Sequence, residues 1–345
     1  MASTFFALDV GEHYLKIADI ENRKNILEAK SIAFNQLQFN PYITAADDIS
    51  KKTSEFLIKM LNEAQIKSKE VNIIIPDSQS YTRIFEMPLL TDKELLSAIK
   101  YQADQFIPIP IDKVNLDIHV LKKDTKNKKA LILLIAAANS VIDNVVTIVE
   151  NAGLLPISVE NETSATLRLI TDLHQIRPFS KDGAAVFINF GNTSSSLYLF
   201  DLNQSLPFQV HNFAIGRDIF HRDIQANYSL SDKQIADLLE QIGFLDNDAT
   251  YNLTELLASP LNEFVSEIKR FLISSKDTIN FEVKDLYIFG EGSKFAGIDT
   301  KLTSLLNYPV KLFNISDFFM KNTVSDFFKS DWSLLIPVIG GALRS

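Results

Sequence analysis

Three glycine-containing segments of this chain could bind phosphate. Asp9-Val10-Gly11 and Asn189-Phe190-Gly191 lie 180 residues apart, and each joins an apolar segment to a second one through a small turn. Glycine in such a turn leaves consecutive backbone N–H groups open to an anion. Gly290-Glu291-Gly292 lies between a predicted strand and a predicted helix, whose N-terminus also attracts anions. Because Asp9 could hold magnesium through water, the usual companion of a nucleoside triphosphate, these residues predict a nucleotide site.

The elements that must position these turns form two similar series. Alternating apolar residues predict three strands and then a helical region, both at the start of the chain and after a break at Lys181-Asp182-Gly183. We therefore expect a duplicated α/β unit with lobes over residues 1–180 and 181–345. Asp9 and Asn189 should face each other across the cleft between the lobes. The predicted strands are 5–10, 15–21, 26–34, 71–75, 114–121, 130–137, 154–159, 184–190, 196–202, 208–214, 286–289 and 310–313, and the predicted helices are 48–66, 91–106, 139–151, 160–175, 216–227, 232–241, 261–280, 294–306 and 332–344, the last packing back on the first lobe.

Composition excludes several classes of protein. The 345 residues carry a net charge of −9 with a pI near 5.2, so no basic field favours nucleic acid as a main partner. The absence of cysteine excludes disulfides, thiolate zinc sites and thiol nucleophiles. The longest apolar runs, 130–138 and 334–343, are shorter than the roughly 20 residues of a membrane span. Without signal-peptide features at the N-terminus, we expect a cytoplasmic protein that reaches a membrane only through a partner.

Other motifs give weaker indications. The five histidines show no metal-ligand spacing. His221-Arg222-Asp223 lacks the asparagine that a kinase catalytic loop needs five residues after its aspartate. Phe295 replaces the third glycine of a dinucleotide fingerprint. The phenylalanine-rich stretch 313–328 also carries charges, so we expect it to pack in the second lobe instead of touching a membrane.

The most specific stretch is residues 73–121, which read IIIPDSQSYTRIFEMPLLTDKELLSAIKYQADQFIPIPIDKVNLDIHVL. It resembles the PilM family of type IV pilus assembly, a branch of the actin-like ATPase superfamily related to FtsA and to the cytoplasmic domain of GspL. The resemblance covers nearly the whole chain. It implies the α/β actin-like ATPase fold, with two duplicated lobes around a nucleotide cleft and a small α+β subdomain inserted in the first lobe over about residues 78–128.

The resemblance also implies a function. Members of this family bind the short N-terminal cytoplasmic peptide of a bitopic PilN-like inner-membrane protein and transmit their state to the pilus motor platform. The chain is then an adaptor that holds ATP or ADP with magnesium and is recruited to the inner face of the inner membrane. Residues expected to line the peptide groove are Arg83, Leu95, Ile99, Gln102, Phe106, Ile107 and Pro108.

The family's nucleotide motifs carry over to specific positions. Glu267, Arg270 and Ser274 have the spacing that flanks the base in related ATPases, and Gly340 belongs to the family's closing helix. The full expected set is Asp9, Gly11, Glu12, His13, Lys16, Asn189, Gly191, Asn192, Thr193, Ser194, Gly216, Glu267, Arg270, Ser274, Gly290, Glu291, Gly292, Ser293 and Gly340, with Asp9 also holding magnesium.

Two departures from the family pattern bear on catalysis. Glu12-His13-Tyr14 replaces the small hydroxyl residues that usually follow the first glycine, and this places a carboxylate near the phosphates. Asn189 replaces the aspartate of the second motif and cannot act as a general base. The chain is therefore expected to be at most a slow ATPase, in which Asp9 positions magnesium or water and no other catalytic residue is assigned.

Two alternative functions stay open within the superfamily. A sugar- or acid-kinase-like phosphotransferase requires a catalytic aspartate beside a substrate pocket, and the sequence nominates none. An FtsA-like filament protein uses a C-terminal amphipathic helix to reach the membrane, and the sequence ends at Arg344-Ser345 without one.

Overall fold

The computed structural model describes residues 5–43, 47–180, 182–245, 252–278 and 282–344. Its contacts divide the chain into two compact units. Unit 1 consists of the residues up to Arg177 together with those from Ile315 onward, and unit 2 is Pro178–Asn314.

Unit 1 contains two sheets and the helices that cover them. Its elements in chain order are β1 Phe5–Val10, β2 Tyr14–Arg23, β3 Ile26–Gln36, α1 Asp47–Glu63, β4 Glu70–Ile75, β5 Ser80–Pro88, α2 Asp92–Phe106, β6 Val114–Asp124, β7 Lys129–Ala138, α3 Asn139–Asn151, β8 Leu155–Asn161 and α4 Glu162–Ile176, and after unit 2 α10 Thr323–Phe327 and α11 Ile336–Ala342.

Unit 2 has one sheet. Its elements are β9 Ala184–Phe190, β10 Ser195–Asp201, β11 Leu206–Phe213, α5 Arg217–Asn227, α6 Asp232–Gln241, α7 Leu253–Leu256, α8 Ala258–Thr278, β12 Val283–Phe289, α9 Ile298–Leu306 and β13 Val310–Leu312.

The main sheet of unit 1 has the strand order β3-β2-β1-β4-β8. The first three strands form an antiparallel meander, and β1, β4 and β8 run parallel. Phe6 and Leu8 on one face of β1 pack with Leu57 of α1 and Ile148 of α3. Helix α11 packs on β1, β2, β4 and α4. The central strands are buried on both sides, which explains their nearly continuous apolar sequence.

A smaller sheet, β5-β7-β6, is inserted between β4 and α3. Leu95 and Ile99 of α2 pack against Ile132 and Leu134 of its middle strand, β7. The expected capping box begins α2, because Thr91 N donates to Glu94 Oε2 at 2.9 Å and Glu94 N donates to Thr91 Oγ1 at 3.4 Å. The whole of β7 belongs to this sheet, so the inserted subdomain extends past residue 128, where the sequence analysis placed its end.

The unit 2 sheet repeats the order of the first, as β11-β10-β9-β12-β13. Again three strands form an antiparallel meander and the next two join in parallel. The predicted duplication of the α/β unit is therefore confirmed. Its core is rich in phenylalanine: Phe190 stacks on Phe264 of α8 at 4.4 Å and meets Phe220 of α5 edge-on at 5.5 Å.

Three details differ from the sequence expectations. From residue 315 onward, the phenylalanine-rich stretch belongs to unit 1, where Phe319 bridges to Leu27 and stacks on Trp332. The predicted helix 294–306 begins only at Ile298, because Gly297 adopts a left-handed φ of 72°. The final helix likewise begins at Ile336, after a short 3₁₀ turn at Trp332–Leu334.

Candidate functional site

The first glycine turn joins β1 to β2. Asp9 is completely buried at the end of β1, and its Oδ2 lies 3.5 Å from Nζ of Lys16, its register partner on β2. Gly11 N donates to Tyr14 O at 2.9 Å, and a Cβ on Gly11 would come within 2.8 Å of the same oxygen. The tight turn therefore requires glycine, and it keeps a buried carboxylate and a buried ammonium group beside the backbone amides.

Glu12 points from this turn to another segment of unit 1. Its Oε1 accepts hydrogen bonds from Ser78 Oγ and Gln79 Nε2, both at 3.0 Å. Tyr42 Oη donates to Val10 O at 2.6 Å, next to the turn. Burial, and then the negative charges of Asp9, Glu12 and Glu162, hold the pKa of Tyr42 well above its usual value. Tyr42 therefore remains a hydrogen-bond donor beside the turn.

The second glycine turn joins β9 to β10 and rests on the start of α5. Arg217 N donates to Gly191 O and Asp218 N donates to Asn192 O, both at 2.9 Å. A Cβ on Gly216 would lie 2.1 Å from Asn192 O, so glycine is needed for this close approach. Among the residues that the structure describes, the buried Oδ1 of Asn192 finds no hydrogen-bond partner. This turn thus combines a helix N-terminus with an unsatisfied buried acceptor.

The third glycine turn, after β12, packs directly on the end of β9. Gly290 has a φ of 87°, and a Cβ there would lie 2.5 Å from Asn189 Oδ1. A Cβ on Gly292 would lie 2.3 Å from the Phe190 ring. Ser293 Oγ donates to Gly290 O at 2.7 Å and closes the turn. Within unit 2, the structure therefore brings Gly290, Gly292 and Ser293 together with Asn189, and their role at a nucleotide stays a prediction.

The α8 residues lie elsewhere in unit 2. Glu267 Oε2 is 3.0 Å from Nε2 of His211, and Ser274 Oγ accepts from Gln209 Nε2 at 2.9 Å. Arg270 forms an ion pair with Glu267. Both partner residues belong to β11, which is three strands from β12, or about 14 Å at about 4.8 Å per strand. The structure joins these residues to the sheet edge, and their contact with a base stays a prediction.

Gly340 lies in α11 where it crosses α4. A Cβ on Gly340 would lie 2.0 Å from Ala165 O, and Gly340 O accepts from Arg168 Nη1 at 2.7 Å. Arg168 also pairs with the buried Glu160, whose Oε1 accepts from Asn72 Nδ2 at 2.6 Å. Gly340 therefore has a packing role in unit 1, and its predicted role at the nucleotide stays untested.

The predicted groove residues separate into two groups. Leu95, Ile99 and Ile107 are buried in the core of the small sheet, whereas Arg83 and Pro108 are exposed. The side chains of Gln102 and Phe106 lie outside the described residues. Any peptide at this surface would therefore contact the exposed residues Arg83 and Pro108, which form the rim of the small sheet. The three buried apolar residues pack beneath this rim.

Sequence reasoning missed a polar cluster at the base of the small sheet. Asp77 is buried and accepts from Thr163 N at 3.0 Å, from Thr163 Oγ1 at 2.7 Å and from Asn161 Nδ2 at 3.2 Å. The Asn161 amide also donates to Ser80 Oγ at 2.9 Å and to Thr82 Oγ1 at 2.7 Å. The sequence signal was limited to the Pro-Asp-Ser turn at 76–78, which does not reveal partners 80 residues away.

The described residues offer neither a preformed metal site nor a membrane-spanning helix. In the described ranges, no three histidine or carboxylate side chains are grouped so that they could ligate a metal ion. Magnesium at Asp9 would therefore need water and phosphate as its other ligands. Within the same ranges, no helix has the length and hydrophobicity that a bilayer span requires.

The two five-stranded sheets share the same strand order, and each has a glycine turn after its first strand. This arrangement is that of the actin-like ATPase fold, and solved structures with this fold are similar to the chain. MreB 5 of Spiroplasma citri bound to AMPPNP matches with a TM-score of 0.52 and 12% identity over 98% of this chain and 94% of that one. A Bacteroides thetaiotaomicron protein with actin-like ATPase fold and unknown function matches with a TM-score of 0.51 and 9% identity over 100% and 97%.

Within this class, the family model described as "Type IV pilus assembly protein PilM" matches residues 7–345, so the chain belongs to the PilM family. The solved PilM-PilN type IV pilus biogenesis complex matches with a TM-score of 0.85 and 19% identity, covering 100% of this chain and 99% of that one. The family and the fold that the sequence resembles are therefore confirmed.

Proposed function

We propose that this PilM-family protein is a nucleotide-holding adaptor of the type IV pilus assembly platform. Its small sheet binds the N-terminal cytoplasmic peptide of a bitopic PilN-like inner-membrane protein. The observation that carries this proposal is the whole-chain likeness to the PilM-PilN complex, which includes the inserted sheet. The adaptor works in the cytoplasm, is recruited to the inner face of the inner membrane by that partner, and acts on the pilus motor platform.

The peptide site is proposed at the exposed rim of the small sheet. Arg83 on β5 is an exposed cation at this surface, and Pro108 shapes the segment that follows α2. Leu95, Ile99 and Ile107 fix that rim by packing beneath it. Because these three residues are buried, their role is to hold the surface in shape.

The nucleotide is proposed to bind through the glycine turns. The fit is supported by two features: the close approaches at Gly11, Gly191 and Gly216 that exclude a side chain, and the buried carboxylate of Asp9, which could hold magnesium through water. Thr193 and Ser194 complete the second turn, and Lys16 and His13 the first. Magnesium, when bound near Asp9, neutralises phosphate charge. ATP and ADP are both compatible with these residues.

Hydrolysis is proposed to be slow. Asn189 is buried beside Gly290, and an amide cannot take a proton from water. The proposed role therefore depends on holding the nucleotide, with little turnover.

The adaptor function is tested by peptide binding. A synthetic peptide covering the N-terminal cytoplasmic residues of the PilN-like protein from the same source is titrated into the full chain by fluorescence anisotropy. Arg83→Glu should weaken binding at least about tenfold, a loss of about 1.4 kcal/mol. Lys126→Glu makes the same charge change at an exposed turn of the small sheet and should bind normally. Equal affinity of both variants would remove Arg83 from the site, and no binding by the wild type would contradict the adaptor function.

Nucleotide binding is tested separately by titration calorimetry with Mg-ATP and Mg-ADP. At about 100 times its Kd, a bound nucleotide stabilises the folded state by about 2.7 kcal/mol, which a thermal shift detects. Phosphate release measured in the same sample distinguishes a held nucleotide from a hydrolysed one. Absence of both heat and thermal shift would contradict the nucleotide part of the proposal and leave the peptide part standing.

A further inference from the structure

Glu12 connects the first glycine turn to the segment from which the small sheet starts. Its carboxylate oxygen accepts from the side chains of Ser78 and Gln79. Both residues belong to one 3₁₀ turn, Asp77–Gln79, and β5 begins at the next residue, Ser80. A charged acceptor makes each of these hydrogen bonds stronger than a neutral one would. The turn that is proposed to hold phosphate is thus tied directly to the base of β5.

Asp77, the first residue of this 3₁₀ turn, is held in place by buried hydrogen bonds. Asp77 is fixed by Thr163 and Asn161, and the Asn161 amide also reaches Ser80 and Thr82 on β5. The polar groups of this cluster are buried or half-buried, and breaking such bonds leaves donors unsatisfied. A displacement at Ser78 and Gln79 is therefore transmitted to β5 instead of being absorbed locally.

Electrostatic repulsion determines which orientation of the Glu12 carboxylate is favoured when phosphate is bound. Glu12 follows Gly11 directly, so a rotated Glu12 carboxylate would stand close to any phosphate bound by the amides of the turn. Asp9 and Glu162 already contribute negative charge to this region, as their effect on Tyr42 shows. Like charges in a partly buried site repel strongly. Phosphate in the turn therefore favours the orientation in which Glu12 stays on Ser78 and Gln79.

We propose that Glu12 couples nucleotide binding to the small sheet. When Ser78 and Gln79 hold its carboxylate, the first turn accepts nucleotide phosphate, and bound phosphate in return stabilises the arrangement of β5 that makes those bonds. This inference rests on the proposed function, since it links the nucleotide and peptide sites of that function. By thermodynamic reciprocity, a peptide that stabilises the same arrangement of β5 tightens nucleotide binding by the same factor.

The first experiment is a double-mutant cycle read out by calorimetry with Mg-AMPPNP. Ser78→Ala combined with Gln79→Ala releases the Glu12 carboxylate and should weaken Mg-AMPPNP at least about fivefold. Glu12→Ala removes the carboxylate, and its affinity for Mg-AMPPNP is the reference for the cycle. Adding Glu12→Ala to the Ser78→Ala and Gln79→Ala pair should restore affinity to within about twofold of Glu12→Ala alone. An equal loss with and without Glu12 would assign the effect to the 3₁₀ turn itself and overturn the proposal.

The second experiment measures hydrogen exchange of the amides in β5 and α2 with and without Mg-AMPPNP. Exchange in the wild type should slow at least about threefold, because the bound state holds β5 more firmly. Glu12→Ala should abolish this change. Glu86→Ala is the matched control: it removes a carboxylate that pairs with Lys129 at 2.8 Å near the other end of β5, and it should respond as the wild type does.

The outcomes separate the two proposals. If Mg-AMPPNP binds but exchange in β5 and α2 does not change, the coupling is refuted and the nucleotide part of the proposed function stands. If no variant binds Mg-AMPPNP, both are refuted. Slowed exchange in Glu12→Ala would also overturn the coupling, because it would show a route that bypasses Glu12.

Discussion

A single methyl group on Gly216 should disrupt the second glycine turn. Its Cβ would lie 2.1 Å from the carbonyl oxygen of Asn192 and 2.4 Å from the carbonyl carbon. A carbon–oxygen contact needs about 3.3 Å, so the turn must move by about 1.2 Å. That movement lengthens the two 2.9 Å hydrogen bonds from Arg217 N and Asp218 N beyond hydrogen-bond range. Overpacking of about 1–3 kcal/mol and two lost bonds of about 1 kcal/mol each predict that Gly216→Ala costs about 3–5 kcal/mol.

The assay is thermal unfolding by circular dichroism, with Mg-ADP titrated at a temperature where the variant is folded. At about 3 °C per kcal/mol, the midpoint should fall by about 9–15 °C, and nucleotide affinity should fall with it. The backbone at Gly216 is extended, with φ −130° and ψ −177°, so the cost is steric and not conformational. Gly153→Ala is the matched control, because it strains a φ of 75° where no atom lies within 4 Å, and should cost only about 1 kcal/mol. If Gly216→Ala melted no lower than this control, the steric reasoning would be wrong.

Three further predictions concern other parts of the chain. Asn189→Asp should raise phosphate release at least about tenfold, a barrier lower by about 1.4 kcal/mol, and an unchanged rate in a phosphate assay would show that Asn189 is not limiting. Glu160→Ala strands Arg168 without its buried partner and should lower the free energy of unfolding by about 3–5 kcal/mol in urea titrations, whereas a loss below about 1 kcal/mol would contradict this. The hydrogen bond to Asp117 raises the pKa of His119 above its usual value of 6.5. The interaction of protonated His119 with Asp117 therefore stabilises the folded state fully below about pH 6.5, and this stabilisation is lost as the pH rises through the raised pKa. His119→Gln should therefore flatten the fall in melting temperature above about pH 6.5, and parallel wild-type and variant curves would refute this.

Much of the fold could be predicted because local patterns agree with the final structure. Short apolar segments predicted β1 and β9, and glycine marked the turn after each. Comparison of those two segments revealed the duplication that the strand orders confirm. The error from residue 315 onward arose because nothing local in Phe319 specifies Leu27 as its partner. That pairing depends on the edge of β3, which is known only once the sheet is assembled.

The candidate site was predictable in its glycines and much less so in its polar contacts. The spacing around Gly290 indicated a turn, and the structure adds that this turn packs on Asn189. The bonds from Ser78 and Gln79 to Glu12 link residues that are more than 60 positions apart, and single exposed polar residues carry no periodic signal. The spacing of the three α8 residues was visible in the sequence, but their attachment to β11 depends on the angle at which α8 crosses the sheet.

The division of unit 1 between two stretches of chain determines the order in which it can be completed. Helix α11 lies against β1 and β4, where a Cβ on Gly341 would come within 2.4 Å of Ile74. This helix is translated only after the whole of Pro178–Asn314, which at about 5–20 residues per second takes roughly 7–27 s. During that interval the surface of β1 and β2 that α11 will cover lacks that helix, while unit 2, being continuous, can fold as soon as it emerges. Nascent unit 1 therefore keeps part of its apolar surface exposed until the C-terminal segment has been made, whereas unit 2 depends on no later segment.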